Sequence, residues 1–240
     1  MSILNSWWSA LSGVLFPPTC PVCGAALESS EQLLCPHCML LAPLTGFWRE
    51  TINPVTERFE SEVRIEQGSA LLFFVEGGGW QRLIHGFKYH NRRLWARRLG
   101  RWYGKLLRES GLYDDVDCVV PMPLHPLKLL WRGYNQAEYL ADGIAEELGV
   151  KVDRHSVIRS RFTSSQARKP HRERAANVEG AFAVRHTERL CGKHLLLVDD
   201  VLTTGSTLVA CIEAIAEAVP DARISVAALA ATRHGVNLST

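Results

Sequence analysis

The sequence predicts an α/β fold with a mainly parallel sheet, preceded by a small zinc ribbon. Short apolar stretches typical of buried strands alternate with helical stretches through the second half of the chain. Such alternation favours parallel strands with helices on both faces of the sheet. One of these strands runs directly into a glycine-containing turn that opens a helix, and two closely spaced cysteine pairs near the N-terminus predict the ribbon.

Composition and texture divide the chain into three predicted parts. With 240 residues, of which 47% are hydrophobic and 22% charged, the chain has the composition of a globular protein and not of a disordered or fibrous one. We expect an N-terminal helix and the zinc ribbon over residues 1–45, a linker with at most one strand over residues 46–69, and the α/β domain over residues 70–240.

The pattern of apolar residues assigns the elements of the α/β domain in order. Continuous apolar runs predict strands over residues 70–76, 117–121, 195–198 and 223–230. Helical periodicity predicts helices over residues 80–108 with at most one break, 135–148 and 208–219. Gly149 ends the second of these helices, because glycine readily takes the left-handed conformation found after helix ends.

The two cysteine pairs predict a structural zinc site. Cys20 and Cys23 form one CxxC pair and Cys35 and Cys38 a second, with eleven residues between the pairs. This spacing lets four thiolates converge on one ion. Two disulfides, or four unligated thiols, are the alternatives, and disulfides are rare in a cytosolic chain. Because four sulfur ligands leave no open position for substrate, we expect the zinc to be structural.

The stretch LLLVDDVLTTGST, residues 195–207, predicts an anion site. A buried strand is followed by Asp199 and Asp200, and then by hydroxyl-bearing residues around a glycine, which are Thr203, Thr204, Gly205, Ser206 and Thr207. Hydroxyls and the N–H groups at the start of the next helix suit a phosphate, whereas the two carboxylates suit ribose hydroxyls and a hydrated Mg²⁺. An acid pair that only caps the helix is the simpler interpretation, but it does not account for four hydroxyls around a glycine.

This stretch resembles the phosphoribosyl pyrophosphate loop of type I phosphoribosyltransferases. Together with the cysteine pairs, residues 86–93 (GFKYHNRR) and residues 121–141 (PMPLHPLKLLWRGYNQAEYLA), the chain resembles the ComF/GntX family. Tyr134 stands where phenylalanine is frequent in that family. The resemblance implies a sheet of the type I phosphoribosyltransferase type, in which Asp199 and Asp200 hold the ribose hydroxyls directly or through Mg²⁺ and residues 203–207 hold the 5′-phosphate.

In that enzyme class a second loop embraces the pyrophosphate, and by position this is residues 121–125. Lys88, Arg132 and Arg172 are candidates for cationic contacts to the pyrophosphate, although each is equally well explained as a surface charge. Asn135 and Gln136 open a helix, where a capping role and a ligand contact both stay open. Residues 161–177 are either a loop that shields the site from water or a charged linker.

Two functional hypotheses follow from these residues and from the family's association with competence. The first is a phosphoribosyltransferase that transfers phosphoribosyl to an unknown acceptor. The second is a non-catalytic accessory protein of the DNA-uptake machinery that contacts single-stranded DNA and a DNA-uptake ATPase. Support for the second comes from four-residue spacing of cations on one helix, opposite an apolar face of Leu94, Leu99, Trp102 and Leu106; the cations are Arg93, Arg97, Arg101 and Lys105.

The N-terminus does not predict export. The apolar stretch over residues 3–16 has no preceding basic residue and no small-residue cleavage site, and its spacing predicts a short amphipathic helix. No run of residues approaches the roughly 20 apolar residues that a membrane-spanning helix needs. We therefore expect a cytoplasmic protein. The net charge is only +2, but it hides two basic stretches over residues 82–108 and 151–174. Such stretches suit a phosphorylated ligand or a nucleic-acid backbone, and a solvated helix face explains each of them equally well.

Overall fold

The computed structural model describes residues 18–29, 31–89, 93–160 and 180–236, and it confirms the α/β fold class. The strands of this part of the chain are β1 (Gly68–Phe73), β2 (Cys118–Pro121), β3 (Lys151–Val152), β4 (Val157–Arg159), β5 (Phe182–Val184), β6 (His194–Leu202) and β7 (Arg223–Ala231). Five of them form a sheet in the order β1-β7-β6-β2-β3, and every pairing in it is parallel. Strands β4 and β5 form a separate antiparallel pair.

The helices of the described residues cover both faces of this sheet. They are α1 (Pro36–Leu40), α2 (Pro54–Glu60), α3 (Gly79–Tyr89), α4 (Arg93–Ser110), α5 (Pro126–Arg132), α6 (Gln136–Leu148) and α7 (Ser206–Ala218). Alternate residues of β6 belong to different cores: Leu196 and Val198 pack with α4 and α6, whereas Leu195 and Leu197 pack with α2, α7 and the β4–β5 pair. Burial on both faces explains why β6 is continuously apolar up to its acidic residues.

Helices α4 and α6 pack backbone to backbone at their crossing. A Cβ atom at Gly100 would lie 2.2 Å from the carbonyl oxygen of Leu140, and one at Gly143 would lie 2.1 Å from that of Arg97. Only glycine allows this approach, because any side chain would overlap the neighbouring backbone. The two helices therefore form one closely packed layer behind the sheet.

The stretch over residues 46–69 differs from the expected linker. It contains a 3₁₀ turn over Phe47–Arg49 and helix α2, and both bury aromatic side chains, including Trp48 and Phe59, against the sheet. Asn53 caps α2 and Thr56 completes a capping box. The sequence suggested a linker because most of the stretch is polar, whereas a few of its residues pack in the interior, including Trp48, Val55 and Phe59. The division of the chain into domains at these boundaries stays a prediction.

The remaining element boundaries lie close to the predicted ones. Asn135 is the N-cap of α6, and Gly149 ends this helix with a φ of 72°. Strand β1 begins two residues before the predicted start, and the predicted long helix corresponds to α3 and α4. The expected N-terminal helix over residues 3–16 lies outside the described residues. Among the helices that the structure describes, none combines the length and the apolar character needed to cross a bilayer.

Candidate functional site

The ends of two neighbouring strands form the centre of the candidate site. Strands β2 and β6 pair in parallel, which places Pro121 beside Val198. The N–H of Met122 donates to the carbonyl of Val198 at 2.8 Å. The loop over residues 121–125 therefore begins next to the acid pair, at the carboxyl edge where open α/β sheets bind ligands.

The paired acids lie within strand β6 and not after it. We predicted that the strand ends at Val198, but β6 pairs with β7 as far as Leu202, which lies opposite Ala231. The longer strand arises because β7 offers backbone partners along its whole length. The carboxylate of Asp199 accepts the N–H of Asp200 at 2.8 Å, and both residues are half-buried. Two carboxylates thus stand at the edge of the sheet just before the turn.

The loop after β6 turns the chain into helix α7. Gly205 is the N-cap residue of α7 and has a left-handed φ of 78°. The hydroxyl oxygens of Thr204 and Ser206 are hydrogen-bonded at 3.1 Å. Helix α7 begins at Ser206, two residues before its predicted start. Because the first N–H groups of a helix have no partner within it and carry the positive end of its dipole, this turn has the chemistry of a phosphate site.

A 3₁₀ turn near the C-terminus supports the back of the loop. This turn spans Arg233–Val236, and a Cβ atom at Gly235 would lie 2.0 Å from the carbonyl oxygen of Thr203. The N–H of Thr232 donates to the carbonyl of Leu202 at 2.9 Å. The loop is therefore packed against backbone on this side.

Helix α2 contacts the same loop from another direction. The guanidinium of Arg58 donates to the carbonyl of Thr204 and also pairs with Glu62. The Arg58 side chain is only 10% exposed. Phe59 lies beside Gly205, where an added Cβ atom would be 3.3 Å from the phenyl ring. Sequence reasoning missed Arg58 because it lies in the stretch that we expected to be a linker.

Three cations, Lys128, Arg132 and Arg159, lie near one another, and Arg159 interacts with Asp199. Burial, followed by the like charges of Arg159 and Arg132, lowers the pKa of Lys128. Burial also lowers the pKa of Arg159, although the charge of Asp199 partly opposes this shift. Arg159 lies over the ring of Phe182 at 5.3 Å. Lys128 is thus an electrostatic neighbour of Arg159 and Arg132, and Arg159 is one of Asp199, so positive charge gathers on this side of the site and suits an anion.

Of these cations, the sequence analysis identified Arg132 alone. Lys128 stands one helical turn before Arg132 on α5, and Arg159 lies on β4, far away in sequence. The sequence could have predicted Lys128 as a site residue, because it lies four residues before the candidate Arg132 and so on the same face of a helix. Arg159 offered no such signal, because only the fold places β4 near the acid pair.

The residues that open α6 have structural partners. The amide of Asn135 donates to the carbonyl of Met122 at 3.0 Å and accepts the N–H of Ala137 at 3.2 Å. Asn135 thus caps the helix and ties it to the loop over residues 121–125. Gln136 accepts a hydrogen bond from Arg132 at 3.3 Å. The capping role is present in the structure, and a ligand contact by these residues stays a prediction.

Two of the predicted cations are not placed at the site. Lys88 belongs to helix α3, but its side chain lies outside the described residues, as does all of Arg172. The stretch over residues 161–177, which we interpreted as a shielding loop or a charged linker, also lies outside the described residues.

The four predicted zinc ligands converge. One ligand atom from each of Cys20, Cys23, Cys35 and Cys38 lies within 4.8 Å of all the others. A tetrahedral ion with Zn–S bonds of about 2.3 Å holds its sulfurs about 3.8 Å apart, and the sulfurs of Cys23 and Cys35 are 3.6 Å apart. Burial by itself raises the pKa of Cys20, but N–H groups of Cys35, Cys23 and Val22 lower it to about 7. The cluster therefore fits a structural zinc ion.

The segment that carries the cysteine cluster is docked on helices α3 and α4. The carbonyl of Val22 accepts a hydrogen bond from Arg82 of α3 at 3.1 Å, and a Cβ atom at Gly79 would lie 2.0 Å from this carbonyl. Arg98 of α4 donates to the carbonyl of Gln32 at 3.2 Å. These contacts attach the ribbon to α3 and α4.

The basic face expected on α4 is largely paired within the protein. Arg97 pairs with Glu146 of α6. Arg101 lies 3.5 Å from Glu147, and Arg93 stacks over Tyr134 at 5.0 Å. Leu94, which we placed on the opposite apolar face, is exposed instead. The sequence pattern missed these acids because they lie on a neighbouring helix.

Comparison with known proteins identifies the family. Residues 135–239, which contain the acid pair and the loop, match the model of the phosphoribosyl transferase domain. The chain is 33% identical over 195 residues to the DNA utilization protein YhgH of Escherichia coli O157:H7, and the match covers 79% of this chain and 80% of that protein. The chain belongs to the ComF family. This ComF-family chain therefore contains a phosphoribosyltransferase-type domain, as its motifs predicted.

Other relatives match over a shorter part of the ComF-family chain. It is 30% identical over 130 residues to the Competence protein F of Haemophilus influenzae, and the match covers 52% of this chain and 57% of that protein. It is 33% identical over 129 residues to the DNA utilization protein YhgH of Salmonella typhimurium strain LT2, with 52% and 56% covered. The chain thus spans little more than half the length of these two relatives.

Proposed function

We propose that this ComF-family protein binds phosphoribosyl pyrophosphate together with Mg²⁺ and acts in the cytoplasm in competence or DNA utilisation. The observation that carries the proposal is the arrangement at one sheet edge of an acid pair, a hydroxyl-bearing turn and a helix N-terminus. Ribose hydroxyls donate to carboxylates, and phosphates accept from N–H and O–H groups, so the arrangement suits both halves of one ligand. The names of the relatives support the link to DNA.

Each part of the ligand has a matching group of residues in this proposal. Asp199 and Asp200 accept hydrogen bonds from the ribose hydroxyls, and residues 203–207 hold the 5′-phosphate. The pyrophosphate lies along residues 121–125, where Arg132 and Lys128 supply positive charge. Carboxylate oxygens are also the ligands that Mg²⁺ prefers, and two carboxylates lie next to each other within β6 just before the turn, so the donor set fits this ion. When bound, Mg²⁺ neutralises charge on the pyrophosphate.

Transfer of the phosphoribosyl group to an acceptor extends this proposal. The bond between C1 of the ribose and a pyrophosphate oxygen breaks, and its electron pair leaves with the pyrophosphate. A lone pair of the acceptor forms the new bond to C1, and the acceptor then loses its proton. The protein contributes by orienting the ribose and stabilising the departing negative charge, which needs no covalent nucleophile.

Calorimetric titration of phosphoribosyl pyrophosphate with and without Mg²⁺ tests the binding proposal. We expect Mg²⁺-dependent binding that is lost when Asp199 and Asp200 are both changed to asparagine. The control carries the same change at Asp114 and Asp221, two exposed residues, and should bind like the unchanged protein. Absence of binding to the folded, zinc-loaded protein would refute the proposal. Pyrophosphate release, measured across bases and amines, then tests transfer.

A second candidate function is the binding of single-stranded DNA by helix α5. Leu130 and Trp131 of this helix are 77% and 78% exposed, and Lys128 and Arg132 stand beside them. Exposed aromatic side chains stack on bases, and cations contact phosphates. This surface replaces the basic face of α4, whose arginines are engaged with α6. A DNA-uptake ATPase is the protein partner that accompanies this candidate.

Fluorescence anisotropy with a labelled oligothymidine tests the second candidate. We expect Trp131→Ala and Arg132→Gln to weaken binding, whereas Arg101→Gln on α4 should not. Neutralising Z phosphates of a single strand gives a log–log salt slope near −0.7Z, so binding should weaken as salt rises. Binding that ignores salt, or that depends on Arg101 instead, would refute the assignment to α5. Coelution of the purified protein with a purified uptake ATPase, with and without Trp131→Ala, tests that partner.

A further inference from the structure

Helix α2 is rigidly attached to the edge of the sheet. Asn53, which is buried, donates from its amide to the carbonyls of Glu50 and Gly68, both at 2.8 Å. Its side-chain oxygen accepts the N–H of Val55 at 2.9 Å and that of Thr56 at 3.3 Å. One side chain thus caps the helix and anchors it to strand β1. Helix α2 is therefore held in place, and its other residues can contact the loop over residues 203–205.

Two consecutive residues of α2, Arg58 and Phe59, contact the loop over residues 203–205. Arg58 donates to the carbonyl of Thr204, and its second contact with Glu62 on the same helix end holds the guanidinium in place. Phe59 packs beside Gly205, the residue whose left-handed backbone turns the loop into α7. The contact crosses 146 positions of sequence, so it exists only in the folded chain.

The geometry of the peptide bond connects this contact to the ligand. The carbonyl of Thr204 and the N–H of Gly205 belong to one peptide unit, and the described residues contain no cis peptide bond. In a planar trans peptide the carbonyl and the N–H point in opposite directions. When Arg58 holds the carbonyl, the N–H of Gly205 is therefore directed away from α2. This N–H lies at the start of α7, where phosphates bind to helix ends.

We propose that Arg58 is a positioning residue that orients the Gly205 N–H toward the 5′-phosphate of the bound sugar. The inference rests on the proposed function, and it adds a residue outside the loop that determines how well the loop binds phosphate. Arg58 acts through the Thr204–Gly205 peptide. Because its charge is paired with Glu62, orientation and not long-range attraction is its main contribution.

Calorimetric titration with two probes tests this inference in the full-length, zinc-loaded protein. The probes are ribose 5-phosphate, which engages the loop, and pyrophosphate with Mg²⁺, which engages residues 121–125. Without Arg58 the Gly205 N–H loses its orientation and its hydrogen bond to the charged phosphate, so we expect Arg58→Ala to weaken ribose 5-phosphate binding roughly 10- to 100-fold. Pyrophosphate binding should stay unchanged. Arg58→Lys, which keeps a cationic donor, should restore part of the affinity.

The control variant is Arg64→Ala, which removes an arginine from the same stretch. The Arg64 side chain is 93% exposed and lies 3.9 Å from Glu66, so both probes should bind as they do to the unchanged protein. In ¹⁵N-labelled protein, inorganic phosphate should shift the Gly205 amide resonance, and Arg58→Ala should abolish this shift.

The possible outcomes distinguish failure of the Arg58 inference from failure of the proposed function. If the unchanged protein binds ribose 5-phosphate and Arg58→Ala binds it equally well, the inference is wrong and the proposed function stands. Equal weakening of both probes in Arg58→Ala and in Arg58→Lys would indicate general damage to the fold and would also overturn the inference. If the unchanged protein binds neither probe, the proposed function and the inference both fail.

Discussion

The cysteine cluster and the candidate ribose-phosphate site are assembled in opposite ways. All four cysteines that could hold a metal ion belong to residues 20–38 and converge within this short segment. The candidate ribose-phosphate site combines α2, α5, β4, the end of β6 and the 3₁₀ turn over Arg233–Val236. A local site depends on each of its few ligands, whereas a distributed site depends on the packing that brings its parts together. Their responses to substitution should therefore differ in kind.

The largest expected effect is the loss of zinc after Cys38→Ser. Structural zinc in small ribbons contributes about 10–16 kcal/mol of binding free energy, and a missing thiolate leaves the tetrahedral set incomplete. We expect metal analysis of the purified variant to find no bound zinc. Cys191→Ser, which changes an exposed cysteine outside the cluster, should keep its zinc. Retention of zinc by the Cys38 variant would show that the cluster is not the metal site.

A smaller effect is expected from Asn53→Ala, which removes the anchor of α2. The substitution leaves the carbonyls of Glu50 and Gly68 without their donor and deletes a helix cap. Because an orphaned buried polar group costs about 1–3 kcal/mol, we expect urea unfolding to detect a loss of about 2–4 kcal/mol. Asn53→Asp keeps the cap but places a carboxylate oxygen against these carbonyls in a buried position, so it should lose at least as much. A loss below about 1 kcal/mol would mean that α2 does not depend on this anchor.

Gly205→Ala should separate stability from binding. A left-handed backbone costs a non-glycine residue about 1–2 kcal/mol, and the new Cβ atom would lie 3.3 Å from Phe59. Gly149→Ala is the matched control, because Gly149 has a φ of 72° and no neighbour within 4 Å. Both variants should unfold at lower urea concentration, but only Gly205→Ala should bind ribose 5-phosphate more weakly. Similar affinities in the two variants would argue against a phosphate site at this loop.

The smallest effect is expected from Glu147→Gln, remote from both sites. Glu147 lies 3.5 Å from Arg101 and 3.3 Å from Arg108, and such surface pairs contribute between zero and about 1 kcal/mol. Thermal unfolding should therefore shift only slightly, and the shift should vanish at high salt. Binding of oligothymidine should not change. A marked gain in DNA affinity would indicate that α4 binds nucleic acid.

What the sequence could predict follows the same division. The cysteine spacing, the acid pair and the hydroxyl-bearing turn are local patterns, and they identified the convergent cysteine cluster and the phosphoribosyltransferase-type domain. Strand and helix types were also predictable, because apolar runs and helical periodicity are local. The end of β6 was predicted too early, since pairing with β7 and not the residue type extends it through Asp199 and Asp200.

Residues that act through the fold were not predictable in the same way. Arg58 and Arg159 have no distinguishing neighbours in sequence, and only tertiary packing places them beside Thr204 and Asp199. The partners of the basic residues on α4 were not predictable for the same reason. Its cations form a regular pattern, but the acids that engage two of them, Glu146 and Glu147, lie on α6. Periodicity within one helix carries no information about the helix packed against it.

The order of the strands in the sheet determines when β1 can be paired during synthesis on the ribosome. Strand β1 has β7 as its neighbour in the sheet, so an early strand must wait for the last one before it can be paired. At about 5–20 residues per second, this wait is roughly 10 to 30 s. Until β7 has been made, the apolar β1 segment keeps unpaired backbone N–H and C=O groups, and chaperones can bind it. The turn over residues 203–205 also gains its contact with α2 only after most of the chain has been made. A product truncated before β7 would therefore lack the β1–β7 pairing and would not complete the candidate ribose-phosphate site.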